Sequence, residues 1–138
     1  MPYEYLNEYQ RPFFEWAEIS IQEVKAGKWG LFMAVTQHHR GGGGTPHVNG
    51  GIAAYLFDGA LGTTVRSTWD ADIIGQVAMT LNIQYMRPFL AIRGVAALAE
   101  MTHREHSTVY ARGEICGDDG QASMTATAIF HLFRAHVQ

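Results

Sequence analysis

The segment from Asn49 to Arg66 constrains the fold of this chain more than any other. Over about four helical turns it carries apolar or small side chains around nearly its whole circumference. It opens with a preferred capping residue and ends with a base suited to a helix C-terminus. A helix without a polar face has to be surrounded by protein. The sequence therefore predicts one central helix, Gly50 to Arg66, with the rest of the chain packed around it.

Strand patterns lie on both sides of this helix. Before it, two alternating runs between Ala17 and Thr36 are separated by Gly27-Lys28, which is typical of a hairpin. After it come four alternating segments with no further helix signal: Gln76 to Met86, Gly94 to Met101, Ser107 to Cys116 and Ala122 to Phe133. The order predicts one α+β domain over residues 1–138, an antiparallel sheet wrapped around one central α-helix. Aromatic and charged residues at roughly helical spacing predict an N-terminal helical segment within residues 1–16.

Composition excludes several classes of partner. A chain of 138 residues that is 47% hydrophobic has enough apolar side chains for the core of one domain. A net charge of −3 with only 10 Lys and Arg leaves no basic stripe for nucleic acid. No stretch approaches the ~18 apolar residues of a membrane helix, and residues 1–10 lack the order of a signal peptide. Cys116 is the single cysteine, which fits a reducing compartment. We therefore expect a cytoplasmic protein with no nucleic-acid or membrane partner.

Asp58 is the only charged side chain between Gly50 and Val65. Helical spacing predicts that it shares a face with Ala54, Leu61 and Val65. Burying an unpaired carboxylate on such a face costs several kcal/mol, so the group must find partners, take up a proton or border a wet cleft. Residue type and position leave two interpretations open: a functional carboxylate, or a structural one bound by neighbouring strand amides.

The helix begins with Asn49-Gly50-Gly51, which suggests a second half of a site. Two glycines leave the first N–H groups of the helix free of side-chain cover, at the positive end of the helix dipole. A carbonyl oxygen that gains negative charge during acyl transfer would be stabilised there. The alternative is an ordinary glycine-rich helix entry.

The histidines do not predict a metal site. No H-x-x-x-H or H-E-x-x-H pattern and no Cys/His cluster is present. Loop and turn positions are the better interpretation for these residues, which are His38, His39, His47, His103 and His106.

Taken together, these motifs resemble a known family. Asn49-Gly50-Gly51, Asp58 nine residues after Asn49, a following Leu-Gly, and the strand end Asn82-Ile83-Gln84-Tyr85-Met86-Arg87-Pro88 resemble the PaaI-like branch of hotdog-fold acyl-CoA thioesterases. In that family a His-Gly-Gly starts the central helix, and an acid lies nine residues beyond the histidine. The resemblance covers about Ala17 to Phe133, and it implies the hotdog fold.

The resemblance also implies roles for individual residues. Asp58 would be the general base or nucleophile, and the Gly50 amide would polarise the thioester carbonyl. Asn49 replaces the motif histidine, so any proton-shuttling role of that position is lost. Two further departures are Gly43, within the glycine-rich loop expected to be mobile, and Ala78, where an asparagine and a hydroxyl residue are found in some members. The residues expected to contact substrate are Gly51, His47, Arg87, Tyr85 and Ala78, with Arg87 near a CoA phosphate.

As a reaction, the resemblance implies hydrolysis of a small, medium or aryl acyl-CoA thioester, with no cofactor apart from the CoA of the substrate. It implies a homodimer with a continuous sheet, often paired into a homotetramer, in which Gly50 of one subunit faces Asp58 of the other. Three alternatives stay open. One is a non-catalytic acyl-CoA-binding hotdog protein, and a second is a hotdog enoyl-CoA hydratase or dehydratase, against which the loss of the motif histidine counts. The third, a purely structural module, is hard to reconcile with an acid in an apolar helix.

Overall fold

The structure is a computed structural model that describes residues 10–89 and 91–136. The helices and strands, in chain order, are α1 Arg11–Trp16, β1 Ile19–Lys25, β2 Lys28–Ala34, α2 Gly50–Arg66, β3 Ile73–Tyr85, β4 Gly94–Glu105, β5 Thr108–Cys116 and β6 Ala122–Arg134. Two short 3-10 helices, Gln37–His39 and Gly42–Gly44, lie in the loop before α2. The central helix has the predicted bounds.

All six strands form one antiparallel sheet in the order β1-β2-β4-β5-β6-β3. The first hairpin turns at Ala26-Gly27, one residue before the predicted position, because Lys28 already pairs with Lys25. Gly27 takes a φ of +75°, a left-handed conformation that glycine adopts without a steric penalty. The crossover from β2 through α2 leaves β3 at the edge of the sheet, next to β6.

The core lies between α2 and one face of the sheet. Leu56, Phe57 and Leu61 of the helix are completely buried, as are Leu31 of β2 and Ala97 of β4. Small residues on the sheet let the helix approach closely. A Cβ at Gly113 would come within 3.5 Å of the Phe57 ring and 2.9 Å of the Leu98 carbonyl oxygen. The predicted antiparallel sheet around one long helix is therefore confirmed.

Two strands are longer by two or more residues than the sequence pattern predicted. β3 begins at Ile73 instead of Gln76, because Ile73 already pairs with Arg134 of β6. β4 continues past Met101 to Glu105 through a register shift between Met101 and His103. A bulge of this kind breaks the two-residue alternation but lets the ladder continue. The predicted end at Met101 was wrong for that reason.

The N-terminal helix covers part of α2. Of the segment predicted helical within residues 1–16, Arg11–Trp16 is helical, while residues 1–9 lie outside the described ranges. Phe14 is buried, and the Phe13 ring lies 4.4 Å from the Tyr55 ring, centroid to centroid. These aromatic contacts hold α1 against α2.

The sheet covers α2 on one side only. Gly51, Asp58 and Arg66 are exposed, and Tyr55 and Gly62 are half-buried. These five positions recur at three-, four- and seven-residue intervals, so they form one stripe along the helix. The expectation that protein surrounds the whole helix is thus not met within the single chain. Neither helix of the described ranges is long and apolar enough to cross a membrane.

Candidate active site

Asp58 lines a cavity of about 520 Å³ between α2 and β3. The floor includes Gly59 and Gly62 of the helix, whose missing side chains leave room there. Phe14 of α1 and Phe130 of β6 supply apolar walls. Ala78, which the sequence placed in the site, lines the same cavity; the remaining lining residues are Gln10, Thr63, Arg66, Trp69, Ile74, Gly75, Gln76 and Val77.

The Asp58 carboxylate has no hydrogen bond and no ion pair with any residue that the structure describes. Although the residue is exposed in the single chain, the surrounding helix and strand partly desolvate the group, and this burial raises the pKa of Asp58 above its usual value. Burial also raises the pKa of Tyr55, one turn earlier in the helix, and the negative charge of Asp58 raises that pKa further. An acid without a structural partner in a cavity is available for chemistry, which argues against the structural interpretation.

The start of α2 is built to present backbone N–H groups. The Asn49 side chain caps the helix by accepting from the Gly51 N–H at 2.7 Å, and the Asn49 N–H donates to the His39 carbonyl at 2.8 Å. The Tyr85 hydroxyl donates to the Gly50 carbonyl oxygen at 2.9 Å. The Gly50 N–H itself finds no acceptor among residues 10–89 and 91–136. Of the two glycine amides expected to be free, one is therefore capped and one is available.

Two groups of predicted site residues lie apart within one chain. Asn49, Gly50, Gly51 and Tyr85 meet at the helix start, and none of them lines the Asp58 cavity. Gly50 and Asp58 are eight residues apart, which is about 12 Å along a helix that rises 1.5 Å per residue. A thioester carbonyl is too small to reach both groups at that separation. If the two act on one carbonyl, they must come from different copies of the chain.

The remaining predicted residues have local partners. His47 Nδ1 lies 2.8 Å from the Thr45 hydroxyl, beside the helix start. Arg87 is 3.6 Å from the Asp119 carboxylate and donates to the Ala122 carbonyl at 3.1 Å, so a phosphate would have to compete with these contacts. Gly43 has a φ of +61°, a conformation that disfavours an asparagine less than most residues.

Sequence reasoning missed two side chains at the far end of the cavity, Trp69 and Gln76. The Trp69 indole N–H donates to Gln76 Oε1 at 2.8 Å, and Gln76 Nε2 donates to the Gly62 carbonyl at 2.9 Å. Arg66 stacks on Trp69, with its guanidinium carbon 4.6 Å from the ring centroid. The available signal was the pair Gly59 and Gly62 inside a helix, where glycine costs roughly 1 kcal/mol and indicates close approach.

Within the described ranges, other groups of residues are also candidates for a site. A larger cavity of about 610 Å³ lies on the opposite face of the sheet, but its Arg112 and Glu100 are paired at 2.6 Å.

Among residues 10–89 and 91–136, no three His, Cys, Asp or Glu side chains are placed to hold a metal ion. His39 is buried in the loop before α2, where it accepts from the Thr36 N–H at 3.0 Å. Burial and the neighbouring His38 lower the pKa of His39, which favours the neutral ring.

Comparison with known proteins gives one kind of match. No family model matches the sequence, and no match was found among curated proteins. Solved structures do match. The BH2602 protein of Bacillus halodurans, solved with CoA, is 23% identical with a TM-score of 0.80, and the match covers 94% of this chain and 83% of that one. A thioesterase family protein of Silicibacter pomeroyi is 18% identical with a TM-score of 0.79, covering 92% and 93%.

The architecture and these matches define a hotdog fold, the fold of thioesterase-family proteins. The neighbours include PaaI of E. coli, from the phenylacetic acid degradation operon, at 21% identity and a TM-score of 0.78, with 94% of this chain and 91% of that one covered. The resemblance to PaaI-like proteins, inferred from the sequence motifs, is therefore confirmed at the level of structure.

Proposed function

We propose that this chain is an acyl-CoA thioesterase whose active site forms between two copies of the chain. Asp58 of one copy acts as general base or nucleophile, and the Gly50 N–H of the other holds the carbonyl oxygen. The observation that carries the proposal is the Asp58 carboxylate, which lines a cavity without any partner among the described residues. The structure of the Bacillus halodurans protein with CoA supports a CoA thioester as the substrate class.

A second copy has a natural place at the edge strand β3. This strand has 13 residues, and on its free edge no strand pairs with it within the described chain. Ile74, Val77 and Met79 are exposed there, at 67%, 47% and 53%. A long apolar edge strand invites pairing with another chain. Pairing β3 with its copy would extend the sheet across a homodimer and bring cover to the open stripe of α2.

In this assembly each group has a defined task. As a general base, Asp58 takes a proton from water while the water oxygen attacks the thioester carbonyl carbon. The oxygen of the resulting tetrahedral intermediate gains negative charge, and the free Gly50 N–H stabilises that charge. The carbon–sulfur bond then breaks, and the CoA thiolate leaves and takes up the proton that Asp58 accepted, which restores the carboxylate. As a nucleophile, Asp58 would instead form an anhydride that water hydrolyses. Neither route requires a cofactor beyond the CoA of the substrate.

Replacing Asp58 tests the proposal. We expect Asp58→Asn to lower kcat for release of free thiol from acyl-CoA by a factor of roughly 10² to 10⁴, because the amide cannot accept the proton. The assay uses a panel of short, medium and aryl acyl-CoAs, and circular dichroism with light scattering shows that the variant is folded and keeps its oligomeric state. Full activity of this variant would refute the assignment.

A non-catalytic acyl-CoA-binding protein is the second candidate. It is favoured by Asn49, whose side chain is engaged in capping the helix and cannot transfer a proton. Such a protein would bind acyl-CoA saturably in calorimetry and release no thiol. A hydratase or dehydratase is disfavoured, since Asn49 stands where the resemblance places a histidine, and an amide cannot transfer a proton. We also propose a cytosolic location on the basis of the single free Cys116.

A further inference from the structure

The far end of the Asp58 cavity holds an arginine, Arg66. Arg66 lines the cavity, and within residues 10–89 and 91–136 it has no ion pair. Two other arginines, each near the end of a strand, are paired. Arg104 is 2.6 Å from Asp70, and Arg87 is 3.6 Å from Asp119. Arg66 thus differs from them in having a positive charge available inside the cavity that contains Asp58.

The Arg66 side chain rests on a fixed platform. Its guanidinium stacks on Trp69, whose indole N–H is bound by Gln76, and Gln76 in turn donates to the Gly62 carbonyl. The loop that carries Trp69 is held by Arg104, which donates to the Thr68 carbonyl at 2.6 Å. A guanidinium stacked on an aromatic face keeps the N–H groups of its edge free for two parallel hydrogen bonds to an anion.

The spacing along α2 relates this cation to the reacting atoms. Arg66 lies eight residues beyond Asp58, which is about 12 Å along the helix axis. A long arginine side chain can cover part of that distance. A carboxylate or phosphate attached to a thioester whose carbonyl lies at Asp58 could therefore reach the guanidinium through the cavity that both residues line.

We propose that Arg66, held on Trp69, binds an anionic group of the substrate and so selects which thioesters are hydrolysed. The inference rests on the proposed thioesterase function. The anion has two possible sources with the same chemistry: a carboxylate at the end of the acyl chain, or a phosphate of CoA. Arg66 is a specificity-determining residue in this role, and Trp69 positions it.

The experiment compares Arg66→Gln and Arg66→Lys with the wild type. Arg112→Gln is the matched control, since it removes the same charge from the opposite face of the sheet. Substrates are paired by shape: succinyl- with butyryl-CoA, and adipoyl- with hexanoyl-CoA. Each acyl group is also presented on pantetheine, which lacks the nucleotide and its phosphates. kcat/KM is measured for every pair, and thermal melting monitors the stability of each variant.

The expected result is a loss of roughly 10- to 100-fold in kcat/KM for Arg66→Gln with the substrates that carry the recognised anion. A loss confined to succinyl and adipoyl esters, on either carrier, assigns the anion to the acyl chain. A loss for all CoA esters but not for pantetheine esters assigns it to a CoA phosphate. Arg66→Lys should recover part of the rate, because an ammonium keeps the charge but not the two-pronged geometry.

Equal kcat/KM of wild type and Arg66→Gln across all substrates would overturn the inference. A fall in melting temperature of Arg66→Gln without selective loss of rate would also overturn the inference. That result would mean that the positive charge of Arg66 only stabilises the helix C-terminus. If the wild type hydrolyses none of the thioesters, the proposed function fails instead. Calorimetric titration with succinyl- and butyryl-CoA would then still test the anion contact: weaker binding to Arg66→Gln supports it, and equal binding refutes it.

Discussion

Two cavities of similar size lie on opposite faces of the sheet, and they differ in whether their charged side chains form ion pairs. The outer one, about 610 Å³, is crossed by the row Lys28, Glu100 and Arg112 on neighbouring strands, and Arg112 binds Glu100 at 2.6 Å. The pKa of Glu100 is lowered, chiefly by the hydrogen bond from Arg112. The inner one, about 520 Å³, contains Asp58 and Arg66, neither of which has an ion pair in the described chain.

Volume alone would favour the outer cavity, whereas unpaired charge favours the inner one. Cross-strand pairs of opposite charge stabilise a sheet surface and need no ligand. A partly desolvated acid without a partner carries a cost in stability, and function is a common reason for that cost to persist. The outer face is complete within one chain, whereas we propose that a second chain completes the inner face.

The largest expected effect comes from breaking the proposed dimer. Met79→Lys adds a charge to the free edge of β3, where charged side chains block pairing between strands. We expect the variant to sediment as a monomer and to lose activity by the roughly 10² to 10⁴ expected for loss of a catalytic group. Met101 is an exposed methionine of β4, a strand with a neighbouring strand on both sides. Met101→Lys therefore serves as the control and should stay dimeric and active. An active Met79→Lys monomer would show that the inner site is complete in one chain.

An intermediate effect is expected from pH. Because burial raises the pKa of Asp58, kcat/KM should fall about tenfold per pH unit below an inflection that lies above the ~3.9 of an ordinary aspartate. The raised pKa also means that the folded state binds this proton more tightly than the unfolded state, so stability is lost as pH rises through it. Asp58→Asn should therefore melt above the wild type at neutral pH and equally with it at acidic pH. A wild-type inflection at or below the ordinary value would contradict this account.

The smallest effect is expected in the outer cavity. Arg112→Gln removes an exposed ion pair, which is worth at most about 1 kcal/mol of unfolding free energy. The lowered pKa of Glu100 means that this stability is present at neutral pH and is lost as pH falls through that pKa. Urea titration at neutral and acidic pH measures both, and thiol release should not change. A large loss of activity would show that the outer cavity also takes part in function.

The sequence predicted the central helix and the fold because their signals are local. The Asn49 cap and the terminal Arg66 bounded the helix, and alternation located the strands. The end of β4 was missed, since a bulge after Met101 removes the alternation without ending the ladder. Local sequence patterns predict regular helices and strands well, but they predict poorly where a strand with a bulge ends.

The candidate site was only partly predictable. Asp58 and Ala78, brought into one cavity, are separated in sequence, and the family resemblance related them. Gln76 and Trp69 were missed because each is an ordinary residue by type, and only the fold brings them to Gly62. Nor could helical spacing foresee that Asp58 is exposed, since this depends on which part of α2 the sheet covers.

We propose that Asp58 and Gly50 of different copies act on one carbonyl, and a complementation assay distinguishes this arrangement from a site within one chain. Gly50→Pro removes the N–H, while proline is tolerated at the first position of a helix and Asn49, at φ −63° and ψ 131°, already suits a following proline. Loss of one oxyanion donor should lower kcat by roughly 10² to 10³. Gly50→Ala keeps the N–H and serves as the control.

Co-expression of Asp58→Asn chains with Gly50→Pro chains then yields mixed dimers. If each site draws on two copies, a mixed dimer has one intact site and one doubly altered site. With random assembly half of the dimers are mixed, so thiol release should recover to about a quarter of the wild-type rate. If both groups come from the same chain, no mixed dimer has an intact site. Activity that stays at the level of the separate variants, in a sample shown to contain mixed dimers, would show that Asp58 and Gly50 of different copies do not share a site.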